Sequence, residues 1–198
     1  MSSKAEEAAH EAVHAEGKNK KIALLISVIA LFLAFSETLG KSAQTNAISY
    51  NVEASNLWAF FQAKTIRMTA VSTAADALEI ELLTTADAQL KDAKAKRIDT
   101  WRKTAARYDS EPDTQEGRKE LSTRAKVSEK KRDDAMARYH HYEIASAALQ
   151  IGIVLASSSV ITGMMALAWA AGGLGLIGVA IMMLGLFEPS LLHALHLI

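Results

Sequence analysis

His10, Glu11 and His14 fit the pattern H-E-x-x-H, in which two imidazoles one helical turn apart share a metal and the glutamate acts as a base. They stand in an Ala- and Glu-rich terminus with no third ligand at a recognisable spacing, so a solvated tail is expected there. A second group converges only when the topology is folded: Glu37, His140, His141, Glu143 and Glu188, followed by His193 and His196. Carboxylates and imidazoles at one membrane face could bind a divalent cation, relay protons, or pair with Lys41 and Arg138. The plainer expectation is that these residues mark where a bilayer stops. A third group is a candidate interaction motif of Trp58, Phe61, Gln62, Lys64 and Arg67. With Phe60, its aromatic residues occupy more faces than a thin helical pair can bury, so they serve either a core plus a headgroup contact or an interface with a partner subunit. Lys64 falls on an otherwise apolar seam and needs a carboxylate; a nearby glutamate such as Glu53 is a candidate. Nothing resembles a P-loop, a dinucleotide fingerprint or a nucleophile elbow. No catalytic, cofactor-binding or metal-binding residue is expected, and the chain reads as not an enzyme.

These groups need elements to hold them, and the elements follow from where charge is missing. Residues Ile22 to Ser36 carry no charge, and neither do Ile144 to Phe187, where Gln150 is the one amide. A bilayer core of about 30 Å takes about 20 apolar residues. The first run makes one span, a retained anchor and not a cleaved signal. The second makes two, with a tight turn near Ala170 to Gly173. The expected order is a polar tail (1–20), a first transmembrane helix (21–40), an extramembrane helical domain (41–142), two further transmembrane helices (143–170 and 172–189) and a C-terminal tail (190–198). Small residues line one face of each span: Ala23, Ser27, Ala30 and Ala34; Ala145 through Ala170 at intervals of three or four; Gly175, Gly178 and Gly185. Such faces let helix backbones approach closely in lipid.

The middle segment is helical by composition. Ala54, Leu57, Phe61, Met68, Val71, Ala75, Leu78 and Leu82 form a heptad-like seam with Lys64 as its polar slot. A second helix carries Leu90, Ala93, Ile98 and Trp101, and Asp109 to Asp113 break it. Asp113 with Glu116 resembles a capping box for the returning helix. The outgoing arm would reach about 100 Å as one straight helix and the returning arm about 45 Å. The outgoing arm must therefore bend, and Thr84-Thr85 before Asp87 is the expected place. The fold class is all-α: three transmembrane helices and an extramembrane coiled-coil-like helical domain.

Lys plus Arg and Asp plus Glu both number 22, so the net charge is zero, which argues against a nucleic-acid partner. Zero cysteines remove disulfides and thiol catalysis. Lys18, Lys20 and Lys21 before the first span favour a cytoplasmic N-terminus, which puts the helical domain in a bacterial periplasm.

The stretch Asn56 to Arg67, reading NLWAFFQAKTIR, resembles a bacterial membrane family known as domain of unknown function 4337, whose members show W-x-[YF]-[YF]-Q-A-K-x-[IL]-[KR]. His140 to Glu143 followed by Ala148 to Ile153 is similar to that family's entry into its second span. The resemblance covers nearly the whole chain and implies architecture and membrane location, but no activity. Family members often carry basic residues between the last two spans, which this chain lacks. The expected function is a non-catalytic, oligomeric scaffold or interaction protein of a bacterial inner membrane. Its partners are the lipid bilayer, further copies of itself and a protein held by the helical domain; no cofactor is expected. The alternative is a small channel or transporter component with the Glu/His cluster at its mouth.

Overall fold

The structure, a computed structural model, describes the backbone of residues 2–187 and the side chains of residues 19–187. The side chains of His10, Glu11 and His14, and the residues Glu188, His193 and His196, lie outside the described residues. Four helices follow in order: α1 (Ser2–Thr84), α2 (Ala88–Asp109), α3 (Arg118–Thr162) and α4 (Met165–Phe187). No strand occurs among the described residues, so the chain is all-α. Three of the helices are long and apolar enough to cross a membrane: α1 from Asn19 onward, α3 and α4.

α1 runs unbroken through the boundary expected at 40/41. It contains no proline, so no ladder hydrogen bond is removed. Gly40 serves close packing instead of a break. It is buried, and a Cβ placed on it would lie 3.3 Å from the Tyr142 Cβ. α1 stops where its two β-branched residues compete for backbone. The Thr84 and Thr85 hydroxyls both donate to the Glu81 carbonyl, at 3.1 and 2.9 Å. Asp87 then caps α2 by accepting from the Leu90 N–H at 2.9 Å.

The start of α3 differs from expectation. The Asp113–Glu116 cap does not form, and the helix begins four residues beyond Thr114, at Arg118. Gly117 takes the capping place, its carbonyl accepting from the Leu121 N–H at 2.8 Å. The glutamate that reaches back is Glu120, which accepts from the Ser110 hydroxyl at 2.7 Å and the Glu111 N–H at 3.1 Å. The turn closes so tightly on itself that a Cβ on Gly117 would lie 2.6 Å from the Ser110 Cα. That crowding is why a glycine, and not Asp113, starts the helix.

The turn between the last two apolar helices is also displaced, from the expected 170–173 to Gly163-Met164. Gly163 adopts φ +70, a left-handed conformation that costs glycine little. Its N–H donates to the Ser159 carbonyl at 2.9 Å. The buried Ser159 hydroxyl donates to the Met164 carbonyl at 2.8 Å. Gly172 and Gly173 have no such fastening and remain inside α4.

Two compact units result. One comprises the chain up to Ala47 and from Asp133 onward, the other Ile48–Arg132. In the first, α4 buries Ala168, Ala171, Gly175, Gly178, Met182 and Gly185, alternating three and four. Its glycines are holes for large neighbours: a Cβ on Gly178 would lie 2.8 Å from the Leu149 Cγ, and one on Gly175 3.3 Å from the Ile29 Cγ1. Knobs filling holes explain a correction on α1. Its small residues Ala23, Ser27, Ala30 and Ala34 are all exposed, while Ile22 and Ile29 are buried. On α1 it is Ile29 that fills the space beside Gly175. The expected face on α3 does pack, with Ala145, Gly152, Ala156 and Ser159 buried, but Ala166 and Ala170 belong to α4.

In the second unit, α1 buries Ala54, Leu57, Lys64 and Ala75, and half-buries Phe61, Met68, Val71, Leu78 and Leu82. Facing them are Ile98 and Ala105 of α2 and Leu121, Ala125 and Ser128 of α3. Leu90 and Ala93, expected inward, are exposed; the inward face of α2 begins at Lys94, which is tied to Glu81 at 3.1 Å.

Candidate functional site

The aromatic motif on α1 forms a clasp for the α2–α3 turn. Lys64 is 6% exposed. Its ammonium lies 3.7 Å from Glu111 and 3.8 Å from Glu116, both carried by the turn. It also sits over the rings of Phe60 and Tyr108, 5.3 and 5.4 Å from their centroids. The expected partner, Glu53, is exposed and takes no part. Eleven residues on one helix amount to about 16 Å of rise, too far for a contact between two side chains. A second cation, Arg118, lies over Phe61 at 5.1 Å. Its Nε donates to the Thr65 hydroxyl at 2.9 Å, and the guanidinium meets Asp109 at 3.3 Å. Trp58 completes the clasp, its indole N–H donating to Glu129 at 2.9 Å and its ring edge-on to Phe61 at 5.4 Å.

The remaining motif residues point away from the clasp. Gln62 and Arg67 are exposed, and Ile66 between them is 70% exposed. Ile66 belongs to an outer stripe with Ser49, Val52, Asn56, Ala59, Ala70, Thr73, Ala77 and Ile80, all exposed and uncharged, which Gln62 and Arg67 flank. With the half-buried Ala63 the intervals alternate three and four, as on the inner seam. The motif therefore has two faces one helix thick: one holds the turn, the other has no partner among the described residues.

The Glu/His group is brought together only in part. A cleft of about 310 Å³ between α1 and α3 in the first unit takes in Glu37, Lys41, Gln44, Tyr139, Glu143 and Ser146. Glu37 accepts from the Gln150 amide at 3.3 Å, and Glu143 from the Tyr139 hydroxyl at 3.4 Å. His140 Nδ1 stands 3.6 Å from Glu143. His141 is turned elsewhere. It is 2% exposed and packs on α4, where a Cβ on Gly185 would lie 2.7 Å from its own Cβ. Its Nδ1 lies 2.7 Å from the Ala137 carbonyl, and its Nε2 is buried with no hydrogen-bond partner. No three His, Asp or Glu side chains among the described residues stand close enough to hold a metal ion.

A family model described as domain of unknown function (DUF4337) matches residues 18–188. The chain belongs to the DUF4337 family. No curated protein and no solved structure matches it. For this DUF4337 chain the match takes in both spans of sequence that form the clasp and the cleft. The sequence pointed to Lys64 as a buried cation but missed Arg118, Tyr108 and Glu111, the groups that hold the turn. A signal was present: Pro112 and Gly117 bracket a turn whose flanks, Asp109, Glu111 and Glu116, carry the acids that a cationic seam position requires.

Proposed function

We propose that this DUF4337 chain is a non-catalytic integral protein of a bacterial inner membrane, and that its helical unit self-associates as a coiled-coil-like scaffold. The outer stripe of α1 carries this reading. Ile66 and Ile80 are each 70% exposed and Val52 53%, on a face whose heptad spacing is the one helices use to pair. From Ser42 to Ala75 that helix bears only Glu53, Lys64 and Arg67 as charges, and Lys64 is buried. A solvated helix face of that length ordinarily carries many charges. Three apolar helices support the membrane location, and Lys18, Lys20 and Lys21 support a cytoplasmic N-terminus with the helical unit on the opposite side.

The chain has no cysteine, so a single Ala59→Cys substitution gives a clean reporter. Oxidation of the detergent-purified variant should trap a disulfide-linked dimer, and adding Ile66→Glu should reduce the trapped fraction at least about tenfold, as loss of a central interface anchor does. A chain that stays monomeric by light scattering in two detergents, with Ala59→Cys never cross-linked, overturns the reading. The channel alternative draws on Glu37 and Gln150, which are exposed on helices otherwise free of charge there; it requires closed rings of more than two copies.

A further inference from the structure

We infer that the α1–α3 cleft is a binding site for the phosphoethanolamine headgroup of a bilayer lipid. The inference rests on the membrane reading above and concerns the first unit alone.

Three observations carry it. The cleft holds both signs of charge. Glu37 and Glu143 supply carboxylates from two helices, and Lys41 supplies an ammonium. Glu37 and Lys41 are four residues apart on α1, in the order that favours a pair within a helix. They do not pair: Glu37 takes the Gln150 amide instead, and Lys41 makes no ion pair among the described residues. Both charges are thus left available to a third party that carries the opposite sign of each.

The cleft also lies at a defined depth. On α1 the uncharged run ends at Ser36, and on α3 it begins at Ile144, so the site straddles the level where headgroups sit. Ser36 fixes the two helices together there, its buried hydroxyl donating to the Tyr142 carbonyl at 2.9 Å. One, two and three turns before Glu37 on the same side of α1 come Leu33, Ala30 and Ile26, an apolar path for acyl chains.

The lining selects among headgroups. A primary ammonium has three N–H donors and can serve Glu37 and Glu143 together. Its phosphate then meets Lys41, while the Tyr139 hydroxyl stays on Glu143 at 3.4 Å. A choline headgroup has no N–H to give, and a glycerol headgroup has no cation to set against two carboxylates. A lipid of zero net charge also suits a cleft with two acids and one base better than an anionic one.

Native mass spectrometry of the full chain, released from mixed micelles of phosphatidylethanolamine, phosphatidylcholine and phosphatidylglycerol, tests this. The wild-type chain should retain phosphatidylethanolamine at least about threefold over either competitor, a difference of about 0.7 kcal/mol. The E37Q/E143Q double variant keeps side-chain volume and should lose the preference with unchanged helix content by circular dichroism. Lys41→Ala should weaken retention of all phospholipids. Equal retention of the three lipids, a preference for phosphatidylglycerol, or a preference that survives in E37Q/E143Q overturns the inference. A preference for phosphatidylcholine also overturns it, assigning the selection to the rings of Tyr139 and Tyr142. Alkaline carbonate washing separates the two levels: a chain released from membranes fails the membrane reading itself, whereas one retained without lipid preference fails only this inference.

Discussion

Lys64 shows how far a single residue can be read. A lysine in an apolar seam must be neutralised, because an unpaired buried charge costs several kcal/mol. That requirement is legible in sequence; the identity of the partner is not, since it depends on which turn folds over the seam. Lys64→Glu should destabilise the helical unit by about 3–5 kcal/mol, by placing a carboxylate between Glu111 and Glu116. Adding Glu111→Lys should recover part of the loss, while adding Glu53→Lys should recover none. Thermal unfolding followed by circular dichroism distinguishes them. A Glu53→Lys rescue would return the pairing to the place the seam count suggested.

Glu120 allows a second residue-level prediction. The Ser110 hydroxyl, and after it the Glu111 N–H, hold its carboxyl below the ordinary carboxylate range. A depressed carboxyl stabilises the fold above its unfolded-state pKa, and that contribution fades as pH falls through the folded-state value. Ser110→Ala removes the larger cause. The variant should therefore melt below the wild-type chain at neutral pH, and the gap should narrow as the pH is lowered to about 3. A gap that is constant with pH would assign Ser110 a purely neutral role at the end of α2.

At the scale of elements, spacing was the readable quantity and termination was not. The inner seam of α1 from Ala54 to Leu82 could be counted directly, because intervals of three and four map onto one helix face whatever packs there. The break at Thr84-Thr85 was visible through its threonines and Asp87. The turn after α3 was not, because five glycines between Gly163 and Gly178 compete for it and the deciding fastening is one serine hydroxyl, on Ser159. The same glycines divide by function. Gly178→Ala would put a Cβ 2.8 Å from the Leu149 Cγ, so it should cost about 1–3 kcal/mol in overpacking. Gly172→Ala meets open space and should gain up to about 1 kcal/mol from helix propensity. Unfolding of both variants in one detergent checks the contrast. Equal effects would mean that α4 does not pack through its glycine face.

At the scale of the whole molecule, the number of crossings decides which surfaces share a compartment. Zero net charge conceals this, because 35 of the 44 charged residues lie in 37–143 and eight in the first 21 residues. On the three-span reading proposed above, one crossing by α1 would take the chain to the side that holds the α2–α3 turn. A return by α3 would then bring Gly163-Met164 back to the side of Lys20 and Lys21, and α4 would cross once more. The cysteine-free sequence makes this directly measurable. In intact cells, Gln115→Cys on the exposed turn should react with a membrane-impermeant maleimide. Met164→Cys, 57% exposed at the other turn, should react only after the inner membrane is opened. Both positions labelling in intact cells would leave α3 with no crossing, so the span count would drop to one or two. The reverse pattern would keep three crossings and invert the protein, placing the clasp and the outer stripe of α1 in the cytoplasm. The lysines at 18, 20 and 21 favour the first outcome, and their effect is separable: replacing all three with glutamine should loosen the orientation without altering the helix content that the apolar runs dictate.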